Sequence, residues 1–169
     1  MLGVYANFPR NIYNILVFSS NISSKRLQQA LAGTLYVLND EVLDLEKVAM
    51  PSLLNCTVAF EIGIAEDSDF SYLDAEERDI LLKTINKKPL EIMDFLCLIR
   101  YHKKQEEKEI PLKSDYYILR FTFAESSVEI QIFHEKGPVH ISPGELAEFL
   151  TNRINGAFSK RVLKPVETY

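Results

Sequence analysis

The residues from Ser114 to His134 constrain the fold most, because apolar and polar side chains alternate on both sides of a short break. The inward series before the break is Tyr117, Leu119, Phe121 and Phe123, and the series after it is Val128, Ile130, Ile132 and His134. Alternation with a period of two over this length is typical of β-strands. The stretch therefore predicts a β-hairpin.

The expected register of this hairpin follows from the position of its turn. A two-residue loop at positions 126–127 pairs Phe121 with Ile132 on one face and Arg120 with Phe133 on the other. The first face is apolar apart from His134 and is expected to cover the core. The second face combines polar, basic and aromatic side chains, so we expect it to be exposed to solvent and able to bind a ligand.

The composition is that of one soluble globular domain. Of the 169 residues, 47% are hydrophobic and 25% are charged, and Gly and Pro are few. A chain of this length buries a sufficient core without metals or disulfides, so we expect a single domain over residues 1–169. The last eleven positions, residues 159–169, are basic and form a C-terminal tail whose composition allows it to be flexible.

The predicted location is the cytoplasm, without membrane association. No apolar run reaches the roughly 18–20 residues that a membrane span needs, and the N-terminus lacks the pattern of a secretory signal. Cys56 and Cys97 both lie in apolar sequence. We interpret them as reduced core residues, which is the usual state of cysteine in the cytoplasm.

Four helices are expected, and three of them have clear start signals. Ser23 or Ser24 precedes a leucine stripe, Asp74 precedes a second apolar stripe, and Ser142 opens a capping box before a third. The fourth is predicted over residues 89–101, where Pro89 occupies a favoured first position and apolar side chains surround the helix on nearly all sides. Such a helix would lie at the centre of the protein.

Two further strands complete the predicted fold. A short apolar run over residues 13–19 and an alternating run over residues 54–64 both have strand patterns. With the hairpin, the predicted order is β-α-β-α-α-β-β-α. We therefore expect an α+β domain with a single antiparallel-rich sheet of about four strands and helices packed on one face.

The residues indicate neither a catalytic motif nor a cofactor site. The three histidines are not at metal-ligand spacings, so we expect no metal. The six glycines form no phosphate-binding loop, and a Gly-x-Ser-x-Gly nucleophile motif is missing from the sequence. We therefore expect a protein that is not an enzyme and that carries no cofactor.

The remaining signal is a mixture of basic and aromatic residues in the second half of the chain. Mixtures of this kind hold single-stranded nucleic acids, because bases stack on aromatic rings and cations contact the phosphates. The net charge of −5 argues against a protein that coats nucleic acid by charge alone. We predict single-stranded DNA or RNA binding by Arg100, Lys103, Lys104, Lys113, Tyr116, Arg120 and Phe133.

Two other interpretations stay open. Tyr117, Phe121 and Phe123 are also explained as core residues, with the Lys- and Glu-rich run as a solvated helix end and Arg120 over Phe133 as a structural cation–π pair. Alternatively, the protein is a non-enzymatic assembly or adaptor module that forms a homo-oligomer through the apolar surface of helix 89–103 and the tail. The assembly hypothesis predicts self-association that a substitution such as Leu96→Asp disrupts.

Overall fold

The computed structural model describes residues 1–12 and 14–166, and in these residues a nine-stranded antiparallel sheet packs with three α-helices. The helices are α1 (Ser24–Leu38), α2 (Ala75–Lys87) and α3 (Pro143–Gly156), and a short 3-10 helix covers Leu45–Lys47. The strands are β1 (Asn14–Ser20), β2 (Val42–Asp44), β3 (Cys56–Glu66), β4 (Asp69–Tyr72), β5 (Ile92–Gln105), β6 (Lys108–Pro111), β7 (Asp115–Phe123), β8 (Ser127–Lys136) and β9 (Leu163–Pro165). The α+β class is confirmed, whereas a sheet of about four strands is wrong.

The strands are ordered β2-β3-β5-β7-β8-β1-β9, with β4 also paired to β3 and β6 also paired to β5. The inner face of the sheet packs against the helices and forms the hydrophobic core, which includes Leu35, Leu81 and Leu150 from the three helices. We call the opposite side of the sheet the outer face. Alternation along each strand sends every second side chain to this outer face.

The three helix starts with clear signals are confirmed. Ser23, Asp74 and Ser142 each accept a hydrogen bond from the backbone N–H three residues further on. At α3 the side chain of Glu145 also accepts a hydrogen bond from the backbone N–H of Ser142, which completes a capping box. Local capping chemistry thus placed these helices correctly.

The predicted helix at 89–101 is wrong, because these residues belong largely to β5. Strand β5 lies between β3 and β7 in the sheet, so it carries buried apolar side chains on both faces. Phe95 and Cys97 point to the inner face, and Leu98 points to the outer face. A continuous apolar run is typical both of a fully buried helix and of a strand buried on two sides, so periodicity does not separate them.

Four of the additional strands are too short to leave an alternating pattern. Strands β2, β4, β6 and β9 have only three or four residues each. Strand β6 returns along the end of β5 and makes a two-stranded ribbon from the charged residues that follow Arg100. Strand β9 lies within the predicted tail and pairs with β1, while residues 167–169 of that tail lie outside the described part of the chain.

The β7–β8 hairpin is present, but its register differs from the predicted one by two residues. The chain turns at positions 125–126 instead of 126–127. As a result Arg120 pairs with Gln131, and Phe133 pairs with Ile118. A shift of two residues keeps every side chain on its predicted face but changes its neighbours.

The N-terminal segment, residues 1–8, fills the gap where β3 and β5 separate. The backbone N–H of Gly3 donates to the carbonyl of Ala65 over 2.7 Å, and the carbonyl of Gly3 accepts from the N–H of Asp94 over 2.6 Å. Gly3 has a φ of +90°, a conformation that glycine adopts readily. The segment then crosses the outer face above β5 and β7.

Candidate interaction face

Four of the seven residues predicted to bind nucleic acid share the outer face. Arg100 of β5, Tyr116 and Arg120 of β7, and Phe133 of β8 occupy alternate positions that point to this side. The other three lie elsewhere. Lys103 and Lys104 are exposed in the β5–β6 ribbon, and Lys113 is exposed in the link between β6 and β7.

Arg120 is engaged by a buried carboxylate. Its Nε and Nη2 atoms each donate a hydrogen bond of 2.8 Å to Asp94, which lies opposite Arg120 on β5. The Asp94 side chain is fully buried and that of Arg120 is 21% exposed. Two parallel hydrogen bonds to a carboxylate use the same fork of the guanidinium that would hold a phosphate. Arg120 therefore has a structural role in this arrangement.

The N-terminal segment completes the environment of this ion pair. The backbone N–H of Tyr5 donates to Asp94 Oδ2 over 2.7 Å, and the Phe8 ring lies 4.0 Å from the Arg120 guanidinium carbon. Tyr5 also packs against Phe70 of β4, with ring centroids 4.6 Å apart. The sequence patterns did not reveal this contact, because residues 1–8 are far from β5 and β7 in the chain.

The other basic residues of the outer face lie beside acidic or aromatic side chains. Arg100 forms a salt bridge of 2.9 Å with Glu61, and both side chains are about half exposed. Lys136 places its ammonium 4.2 Å from the centre of the Tyr116 ring. Glu129 on β8 also points to this face, so the outer face is mixed in charge and not a basic surface.

An apolar band crosses the middle of the outer face. Leu96, Ile118 and Phe133 stand side by side on β5, β7 and β8. Leu98 and Tyr116 form the next pair along β5 and β7. Leu98 and Ile118 are 7% and 5% exposed although they point away from the helices, and Leu96 and Phe133 are partly exposed. We call these five residues the outer band.

A second buried carboxylate, Asp115, organises the opposite side of β7. Its Oδ1 accepts hydrogen bonds from His134 Nε2 over 2.9 Å and from the backbone N–H of Val139 over 2.7 Å. Its Oδ2 accepts from the Tyr101 hydroxyl over 2.5 Å and from the backbone N–H of His140 over 3.0 Å. All four donors surround a carboxylate with no solvent exposure.

The pKa values in this cluster follow from burial and from these hydrogen bonds. Burial raises the pKa of the Asp115 carboxyl, but its donors Tyr101, Val139, His134 and His140 together outweigh that effect and hold the pKa below its usual 3.8. Burial, with the hydrogen bond to Asp115, raises the pKa of the Tyr101 phenol far above its ordinary value. Asp115 is thus a stable anion and Tyr101 a stable donor.

This cluster has the properties of a structural centre. A carboxylate that already accepts four hydrogen bonds has its acceptor positions occupied, so it is poorly suited to take a proton from a substrate. The backbone N–H groups of Val139 and His140 both donate to this carboxylate. Val139 has a φ of +59°, which is unusual for a β-branched residue. Ser52 Oγ lies 3.3 Å from His140 Nδ1 and links this loop to the one before β3.

Within residues 1–12 and 14–166, the side chains form no group of three or more His, Cys, Asp or Glu residues that could hold a metal ion. Cys56 and Cys97 are buried free thiols, and burial raises the pKa of the Cys97 thiol to about 12. None of the described helices combines the length and the apolar character needed to cross a membrane.

Protein-family models, curated proteins and solved structures all give no match to this chain.

Proposed function

We propose that the protein is a non-enzymatic assembly module that self-associates through its outer face. The observation that carries this proposal is the outer band. An antiparallel sheet with one face towards solvent normally places polar residues on that face. Here Leu96, Ile118 and Phe133 place three apolar side chains in one row across adjacent strands. Leu96 and Phe133 are partly exposed at the two ends of this row, and Ile118 is buried between them. Apolar side chains that reach the solvent face of a sheet are typical of protein interaction sites.

The charges next to the outer band favour a second copy of the chain as the partner. Glu129 and Lys136 lie on the same strand, β8, on opposite sides of Phe133. A two-fold axis across the strands would bring Lys136 of each copy close to Glu129 of the other. In such an interface both copies use the same surface, and each opposite-charge contact occurs twice. Strand β8 of each copy would thus supply a glutamate to one interfacial ion pair and a lysine to the other.

The first test measures mass by light scattering over a range of protein concentrations. We expect a dimer that persists at high salt, because apolar contact dominates the interface. Leu96→Asp and Phe133→Asp should each yield a folded monomer. Val37→Asp is the matched control, since Val37 is an exposed apolar residue on α1, and it should leave the dimer intact. A monomeric wild-type protein at all concentrations would refute the proposal.

A charge exchange tests the symmetry of the interface. Glu129→Lys alone should weaken the dimer, because it places like charges opposite each other. Combining Glu129→Lys with Lys136→Glu restores opposite charges and should recover most of the lost affinity. The single variant Lys136→Glu is measured as well. If the loss of dimer affinity in the double variant equals the sum of the losses in the two single variants, the two residues do not meet in the dimer.

Single-stranded nucleic acid is the second candidate ligand of the same face. Its support is the arrangement of Tyr116 and Phe133 as partly exposed aromatic rings, with Lys136 beside Tyr116 and Arg100 on the same face of the sheet. Stacked bases and phosphate contacts would use these groups. The test is fluorescence anisotropy of a labelled single strand and of its duplex at low and moderate salt. This candidate requires binding that prefers the single strand, weakens with salt and falls with Tyr116→Ala or Phe133→Ala.

A further inference from the structure

A cavity of about 610 Å³ opens between the start of the chain and the connection from α2 to β5. Its apolar lining comes from Met1, Leu2, Val4, Pro89, Leu90 and Ile92. Sites for small molecules in proteins usually have volumes of roughly 300–1,000 Å³ and mainly apolar walls. The cavity shares no residue with the outer band, so a ligand here would act separately from the proposed dimer contact.

Hydrogen bonds to the backbone hold both walls of this cavity in place. On one side the buried side chain of Gln28 donates to the carbonyl of Leu90 over 2.7 Å and accepts from its N–H over 2.9 Å. On the other side Gly3 is bonded to Ala65 of β3 and to Asp94 of β5. The cavity is therefore preformed, and a ligand would enter it without ordering a loop.

The charge at the rim is mainly positive. Lys87 and Lys88, at the end of α2, contribute to the lining together with one acidic residue, Glu91. Among the described residues neither lysine forms a salt bridge with a carboxylate. A helix C-terminus by itself favours lysine. The combination of two lysines with an apolar cavity also matches a ligand that has an apolar chain and an anionic end.

We propose that this cavity binds a linear fatty-acid anion of medium chain length. The hydrocarbon chain lies against the apolar side chains of Leu2, Val4, Leu90 and Ile92 that line the cavity. The carboxylate lies at the rim, where the ammonium groups of Lys87 and Lys88 supply charge-assisted hydrogen bonds. The site requires both parts of the ligand, since the apolar walls hold the chain and the lysines select the anion.

The test is isothermal titration of the full chain with decanoate and decyltrimethylammonium, each below its micelle concentration, and with 1-decanol below its solubility limit. Any affinity tag is placed at the C-terminal end, because Met1 borders the cavity. Decanoate should bind with one site per chain and at least about tenfold more tightly than either other probe. Amide chemical shifts should change at Leu2, Val4 and Leu90 on addition of decanoate.

A matched pair of variants identifies the role of the lysines. The double variant Lys87→Glu and Lys88→Glu should lower decanoate affinity by about tenfold or more. The control is Lys103→Glu with Lys104→Glu, which changes the net charge equally in the β5–β6 ribbon and should leave the affinity unchanged. Equal binding of decanoate and decanol, an equal loss in both double variants, or no decanoate binding would each overturn the proposal.

Discussion

Asp94 on β5 and Arg120 on β7 lie opposite each other on neighbouring strands and share two hydrogen bonds of 2.8 Å. The carboxylate also accepts the backbone N–H of Tyr5, and the Phe8 ring covers the guanidinium. One ion pair therefore joins two central strands to the N-terminal segment. Arg120 thus keeps its predicted place on the outer face but is engaged by Asp94, and the pair explains why a charged residue is buried near the start of strand β5.

Removing the charge of Asp94 should destabilise the protein strongly. Asp94→Asn leaves the Arg120 guanidinium mostly buried without its anion, and we expect the free energy of unfolding to fall by about 3 kcal/mol. Urea denaturation measures this change. Glu61→Gln is the control, because the Glu61–Arg100 pair is about half exposed and should contribute less than about 1 kcal/mol. Equal effects of the two variants would contradict a structural role for Asp94.

The hydrogen bond from Tyr101 to Asp115 should give a pH-dependent contribution to stability. The folded-state pKa of Asp115 is lowered, so its stabilising contribution is present above the unfolded-state value of 3.8 and is lost as the pH falls through the folded-state pKa. Tyr101→Phe should cost about 1–2 kcal/mol at neutral pH. Without the Tyr101 hydroxyl, the pKa of Asp115 is lowered less. The difference in free energy of unfolding between Tyr101→Phe and wild type should therefore narrow as the pH falls through the folded-state pKa of Asp115.

The matched control for this prediction is Tyr117→Phe. The Tyr117 hydroxyl donates to the backbone carbonyl of Ile141, which does not titrate. Its loss should therefore destabilise the protein by a similar amount at every pH. Urea midpoints of the three proteins, measured from neutral pH into the acid range, separate the two cases. Parallel curves for Tyr101→Phe and wild type would show that the Tyr101 contact does not influence the titration of Asp115.

Two glycine substitutions should have opposite effects on stability. Gly137 has a φ of +118°, and a Cβ there would lie 2.4 Å from Asp115 Oδ1 and from the Ser114 carbonyl oxygen. Gly137→Ala should therefore cost at least about 3 kcal/mol. Gly33 lies in α1, where a Cβ would meet nothing within 4 Å among the described residues, so Gly33→Ala should stabilise by roughly 0.5–1 kcal/mol. Thermal unfolding compares them directly.

The backbone at Val139 should gain stability from a residue that tolerates a left-handed conformation. Val139 has a φ of +59° and its side chain is 45% exposed, so its burial contributes little. Val139→Asn keeps the N–H that donates to Asp115 and should stabilise the protein by about 1 kcal/mol. Urea denaturation measures the change. A destabilised variant would mean that the valine side chain makes a contact more important than the backbone strain.

Local chemistry in the sequence was sufficient for the elements with short-range signals. Capping residues such as Ser23, Asp74 and Ser142 act within one turn, so the three α-helices were predictable from them. The alternation from Ser114 to His134 likewise determined the β7–β8 hairpin and the face of each side chain. These features depend on neighbours in the chain, and the sequence therefore contains them directly.

The tertiary structure alone decided what lies between those elements. The apolar run at 92–101 became a strand because β3 and β7 pair with it on both sides, and a single chain pattern does not contain that pairing. The short strands exist through pairing with longer ones. The neighbours of Arg120 come from residues 5, 8 and 94, brought together by long-range hydrogen bonds and packing. Binding sites depend on such contacts, because they are built from residues that meet only when the sheet is complete.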